Sequence, residues 1–240
     1  MKTSTSIAIL LCSAFLSINA QGLEPIISFE DNSESYCMQI CFDGKCFYTV
    51  NGGVKDVGKI TAYSINGIFL QSYPLPLDMR SIFYHTRNKC FYVCTTDKKL
   101  FKIIDINAGT YELVYENLYD NKQISLTIDP NGKFLYAFDN GTLSIYKFKT
   151  GTLVRTLSGL KCGEGNRKGA ATVAIDRKKN IYTWDSDTKT VFVYDKNGKF
   201  LISHKLKYGD FGYSLSFAKE MFFVSNSPKN KKGTWFGYKL

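Results

Sequence analysis

The chain has 240 residues, 44% of them hydrophobic and 22% charged, with a formal net charge of +10. That balance excludes a disordered or collagen-like chain and a multi-span membrane protein. Its 16 Tyr and 18 Phe against 2 Trp favour strands, and only 2 His leave little for histidine-based zinc or nucleophilic chemistry.

Taken in chain order, Met1–Ala20 has the layout of a secretory signal peptide. Lys2 gives a basic start, Ser6–Ile18 an apolar run, and Ile18-Asn19-Ala20 a small-residue cleavage point before Gln21. The run is too short for a spanning helix, and no later segment reaches 18 apolar residues. The expectation is a secreted chain without a stable membrane anchor, extracellular or, in a bacterial host, periplasmic. Residues 21–240 are expected to form a single domain. Pro25-Ile26-Ile27-Ser28-Phe29 then reads as an isolated strand.

Five aromatic strands follow at a near-constant period: Lys45–Val50, Lys89–Cys94, Lys133–Phe138, Asn180–Trp184 and Met221–Ser225. Their anchors Tyr48, Tyr92, Tyr136, Tyr182 and Phe223 are spaced by 44, 44, 46 and 41 residues. An apolar run precedes each, as at Ile124–Ile128 and Ala171–Ile175, and a third run follows, centred on Tyr63, Ile104, Tyr146, Tyr194 and Tyr238. Turns at Asn66-Gly67, Ala108-Gly109, Thr150-Gly151 and Asn197-Gly198 suit type I′ hairpins with positive φ at both central positions. They lead into fourth strands at Ile68–Tyr73, Tyr111–Tyr115, Leu153–Leu157 and Phe200–His204.

Four antiparallel strands per period of about 40–45 residues predict an all-β, five-bladed β-propeller. The fifth copy ends at its third strand, Trp235–Leu240, so the N-terminal strand at 25–29 is expected to pair with it and close the ring. Ala171–His204 resembles an Asn-His-Leu-type repeat, with Thr188-Lys189-Thr190 where that triplet would fall, and Ile124–Leu157 is similar to a YVTN-type repeat. The resemblance implies a propeller built for binding, or less often a lactonase-like hydrolase.

Six cysteines lie beyond the leader: Cys37, Cys41, Cys46, Cys90, Cys94 and Cys162. Cys37 and Cys41, like Cys90 and Cys94, would stand about 13 Å apart on one extended strand and cannot bridge each other. At most one disulfide is expected, with Cys46 and Cys90 in equivalent core places of adjacent blades. Trp184 and Trp235 read as core. Ser158–Ala170, with four glycines, reads as a flexible inter-blade loop, and Asn140-Gly141-Thr142 fits a glycosylation sequon at an exposed hairpin.

Charge divides between the two ring faces. Loops joining first to second and third to fourth strands carry Lys45, Arg87, Lys89, Lys133, Lys147, Lys149, Arg177, Lys178, Lys179, Lys196 and Lys199, against Asp43, Asp105, Asp129, Asp176 and Asp195. A basic balance of this size suits acidic surfaces such as sulfated glycans, anionic membranes or nucleic acid, and lysines scattered for solubility are the plainer reading. Nucleic acid is not expected, because no recognition helix or RNA-binding signature accompanies Lys229-Asn230-Lys231-Lys232. The opposite face is mixed, and its Arg80, Lys122, Arg167, Lys168, Asp185 and Asp210 are the candidate ligand-binding residues.

The leading expectation is a monomeric secreted binding module that holds a glycan or a partner protein on loops of one ring face, with no catalytic residue and no cofactor. The alternative is a calcium-dependent hydrolase or lactonase. Glu34, Asp78, Asp120 and Asp210, near the starts of different innermost strands, would then supply oxygen ligands.

Overall fold

The computed structural model describes residues 22–33, 35–53, 55–163, 171–228 and 231–240. The expected signal peptide lies outside the described residues, as does most of the glycine-rich 158–170 connection.

Strand β1 (Ile27–Glu30) comes first, followed by β2 (Tyr36–Phe42), β3 (Phe47–Gly52), β4 (Lys59–Tyr63) and β5 (Phe69–Pro74), which make the first antiparallel sheet. The second contains β6 (Met79–His85), β7 (Cys90–Thr95), β8 (Lys99–Asp105) and β9 (Thr110–Glu116). The third contains β10 (Leu126–Ile128), β11 (Phe134–Asp139), β12 (Thr142–Lys147) and β13 (Leu153–Leu157). The fourth contains β14 (Ala174–Ile175), β15 (Ile181–Asp185), β16 (Thr190–Tyr194) and β17 (Phe200–Lys205). In the fifth, β18 (Ser216–Ala218), β19 (Met221–Asn226) and β20 (Thr234–Tyr238) are completed by β1, in the order β1-β20-β19-β18. Ile27 faces Gly237 and Glu30 faces Thr234 in that closing pair.

The first strands of the sheets neighbour one another in a closed circuit: β2 beside β6, β6 beside β10, β10 beside β14, β14 beside β18, and β18 beside β2. The chain is a five-bladed β-propeller. Its second strands are apolar on both faces because neighbouring blades cover both, and β15 is buried along its whole length. The fourth strands begin fully exposed, as in β9 and β17. Aromatic rings fill the wedges between blades: Tyr182 lies 3.9 Å from Phe222 and Tyr48 lies 4.4 Å from Phe91, centroid to centroid. Trp184 and Trp235 are fully buried. Burying one such large apolar side chain stabilises the fold by about 1.5–3 kcal/mol.

The turns between third and fourth strands differ from the type I′ expectation. Only the glycine takes positive φ in each, at Gly67, Gly109, Gly151 and Gly198, and the pairing slips by one residue beside the turn. Gly67 N donates to Ser64 O at 3.0 Å and Ser64 N to Ile68 O at 2.8 Å, a three-residue loop with a bulge at the glycine. The preceding Ser64, Asp105 or Asp195 side chain accepts backbone N–H groups of the loop, which favours this longer turn over a two-residue one. Positive φ at both central residues occurs instead at Asn140-Gly141 and Lys219-Glu220.

Cys37, Cys41, Cys46, Cys90 and Cys94 are free thiols. Cys37, Cys41 and Cys94 are buried, and burial pushes all three thiols up, so they behave as small core hydrophobes. Cys46 and Cys90 are half-buried.

Candidate ligand-binding site

All five innermost strands run toward the same face of the ring, where their ends surround the axis. A cavity of ≈ 550 Å³ opens there, lined by Phe42, His85, Ile128, Ile175 and Ala218 from the strand ends and by the loops that follow them. Short first-to-second loops leave its mouth uncovered, and their side chains form the rim.

Each rim group is held by a local rule. Asp43 follows β2, and its Oδ1 accepts from Lys45 N at 2.7 Å and Cys46 N at 2.8 Å. Its Oδ2 accepts from the Tyr48 hydroxyl at 3.2 Å. Asp129 follows β10 and repeats the pattern, with Oδ1 accepting from Lys133 N at 2.6 Å and Phe134 N at 2.9 Å. Asp129 Oδ2 is buried without a hydrogen-bond donor, and Lys179 Nζ stands 3.8 Å away. Such an atom is unusual, because buried polar atoms are almost always paired.

His85 ends β6. Its Nδ1 accepts from Asn88 N at 3.1 Å, which leaves the proton on Nε2, 3.0 Å from Gly132 O in the next blade. Gly132 is required there: its φ is +67°, and a Cβ would meet His85 Nε2 at 2.5 Å. With both nitrogens engaged, the imidazole joins two blades and is not placed as a general base. Arg177 Nε and Glu220 Oε1 lie 2.5 Å apart and link the fourth blade to the fifth across the rim. Lys219 and Glu220 form the two-residue turn from β18 to β19 with φ of 49° and 58°, a left-handed pair without glycine.

Half-buried aromatics face this polar rim. Tyr84 lies 5.0 Å from Phe91, which touches Tyr48, so a row of rings runs outward from the cavity between the first two blades. Burial, then the Asp43 carboxylate, holds the Tyr84 hydroxyl above its usual range, protonated near neutral pH. Phe42 and Phe217 also line the space. The combination offers ring faces for apolar C–H surfaces and fixed polar groups for hydroxyls or amides, as binding cavities do.

The residues singled out from the sequence sit elsewhere. Arg80 and Asp78 meet at 3.7 Å at the start of β6, at the far end from the cavity mouth. Asp78 also accepts from Gly53 N and Thr96 Oγ1, both at 2.8 Å. Asp185 is buried at the end of β15, where it accepts from Asp187 N, Thr188 N and the Thr188 hydroxyl, a turn-capping role. Lys122 and Asp210 are exposed, and Asp120 borders a separate cavity of ≈ 410 Å³ beside the third blade. Arg167, Lys168 and Glu34 lie outside the described residues. Among the described residues, no three His, Cys, Asp or Glu side chains gather as metal ligands, so Asp78, Asp120 and Asp210 do not form the acidic cluster that the calcium alternative needs.

The converging residues share a place in the repeat rather than a chemical motif. Phe42, Tyr84, His85, Asp129 and Phe217 mark the ends of the innermost strands, and superimposing the five periods at those ends would have brought them together.

No protein-family model matches the chain, and no curated protein does. Solved structures similar to it include apo AztD from Citrobacter koseri, at 12% identity and a TM-score of 0.42, covering 73% of this chain. The match takes in 48% of AztD, so this chain spans about half the length of that protein.

Proposed function

We propose that this propeller is a secreted binding module that takes a glycan, or a loop of a partner protein, into the mouth of the axial cavity. The observation that carries this reading is the cavity itself: half-buried Phe42, Tyr84 and Phe217 beside a fixed polar rim. Sugar rings present C–H faces and hydroxyls, which suit the aromatic rings and the fixed polar groups of the rim respectively. Among the described residues, no nucleophile is paired with a positioned base at this rim.

A glycan array of neutral and sulfated sugars, probed with the secreted form, tests the proposal. Selective binding that weakens at least tenfold in Tyr84→Ala, with folding retained, supports the sugar reading. A blank array turns the proposal to a protein ligand. Glycan binding indifferent to Tyr84→Ala and Asp129→Asn moves it away from this cavity.

A further inference from the structure

Every blade leaves a large apolar side chain exposed at one corner, where the third strand gives way to the fourth. These are Phe69 in the first blade, Tyr111 in the second, Leu153 in the third, Phe200 in the fourth and Ile26 beside the closing strand of the fifth. Ile26 is 63% exposed. Scattered exposed apolar residues are ordinary; one at the same place in each of five blades makes a ring on one face.

That face is also the basic one. Lys45, Arg87, Lys133, Lys149, Lys178 and Lys196 project from its loops, are exposed, and form no ion pair among the described residues. Ion pairs hold Lys99 to Asp97 and Glu116, Lys102 to Glu112, Lys207 to Glu24 and Lys232 to Glu30, and on this face Arg177 to Glu220 and Lys179 to Asp129. The fewer acids of this face include Asp43, Asp105, Asp176 and Asp195, which accept backbone N–H groups of their own turns.

We infer that this face docks reversibly on an anionic lipid bilayer, with the apolar ring at the headgroup boundary and the lysines over the acidic headgroups. Charge alone would equally suit a sulfated polysaccharide, but such a chain leaves Leu153, Phe200 and Ile26 in water. A bilayer interface accepts both kinds of side chain at once, and peripheral proteins commonly need both signals. The inference is independent of what the cavity holds. It adds that the cavity mouth would face the bilayer, so its ligand would be one displayed at a membrane surface.

The test is sedimentation of the secreted form with phosphatidylcholine vesicles, with and without phosphatidylserine, at low and high salt. Two exposed double variants accompany it, Lys149→Gln/Lys196→Gln and Ile26→Ser/Leu153→Ser, each checked for unchanged melting. Binding to the phosphatidylserine vesicles alone is expected, falling with salt. It should drop about 25-fold in the lysine variant, from roughly fivefold per lysine. A clear loss is also expected in the apolar variant, while Tyr84→Ala stays at the wild-type level. Absence of binding to acidic vesicles overturns the inference. So does binding that the apolar variant leaves intact, since heparin-like charge recognition then suffices.

Discussion

Aspartates on the basic face act first as local scaffolding. Asp176 accepts from Asn180 N, Asn180 Nδ2 and the Tyr182 hydroxyl, and Asp195 holds the next turn through Asn197 N and Lys199 N. Those backbone donors hold the Asp195 carboxyl below its usual range. From the sequence such residues are visible only as negative charges, because capping depends on a turn whose length is set by pairing further along. Histidine gives the sharper expectation. His204 is half-buried in β17, and burial holds its pKa below the ordinary 6.5. The folded state therefore resists protonation. As pH falls through about 6.5 the unfolded chain takes up the proton first, and stability is lost toward lower pH. Urea midpoints at about pH 7.5 and about pH 5.5 should differ less in His204→Gln than in the wild type. An equal difference in both would remove His204 as a contributor.

Among the elements, β1 has the largest effect for its size. Phe29 packs against Tyr63 at 4.9 Å, Phe47 at 6.2 Å and Phe223 at 6.4 Å, so one side chain joins the first and fifth blades. Gly67 fits beneath it, since a Cβ there would meet Phe29 at 2.6 Å. Just beyond the strand, Asp31 accepts from Trp235 Nε1 at 2.6 Å and Asn32 N donates to the Tyr63 hydroxyl at 2.6 Å. Phe29→Ala should cost about 3–5 kcal/mol, read as a lower urea midpoint with unchanged slope. A loss below about 1 kcal/mol would mean that the ring is held closed by other contacts. The strands were largely legible beforehand because the central aromatic strand recurs in every blade, and its period placed the others: Leu153–Leu157 was anticipated to the residue, and the closing strand lies two residues later at its start than expected. The cavity was not legible. Its lining comes from five segments between Gln39 and Glu220 that meet only once the ring is closed, while charge drew attention to residues such as Asp185 that serve turns.

At the scale of the molecule, chain order and blade order disagree at one point only, the fifth blade. There Ile26 N donates to Gly237 O at 2.8 Å, which places the beginning of β1 beside the end of β20. Joining Leu240 to Gly22 through about ten Gly/Ser residues and opening the chain in the exposed turn between Asn107 and Ala108 should therefore preserve all five sheets. Cooperative melting within a few degrees of the parent is expected, and a non-cooperative product would count against closure by β1 alone. The same arrangement shapes biosynthesis. Asp31 and Trp235 are 204 positions apart, so at about 5–20 residues per second roughly 10–40 s separate the making of the first strand from that of its partner. Through that interval the nascent polypeptide carries an unmatched strand and growing sheets with open edges, the features that invite pairing between chains. Slowing translation should therefore lower the folded yield in a cell even though the finished fold is unchanged.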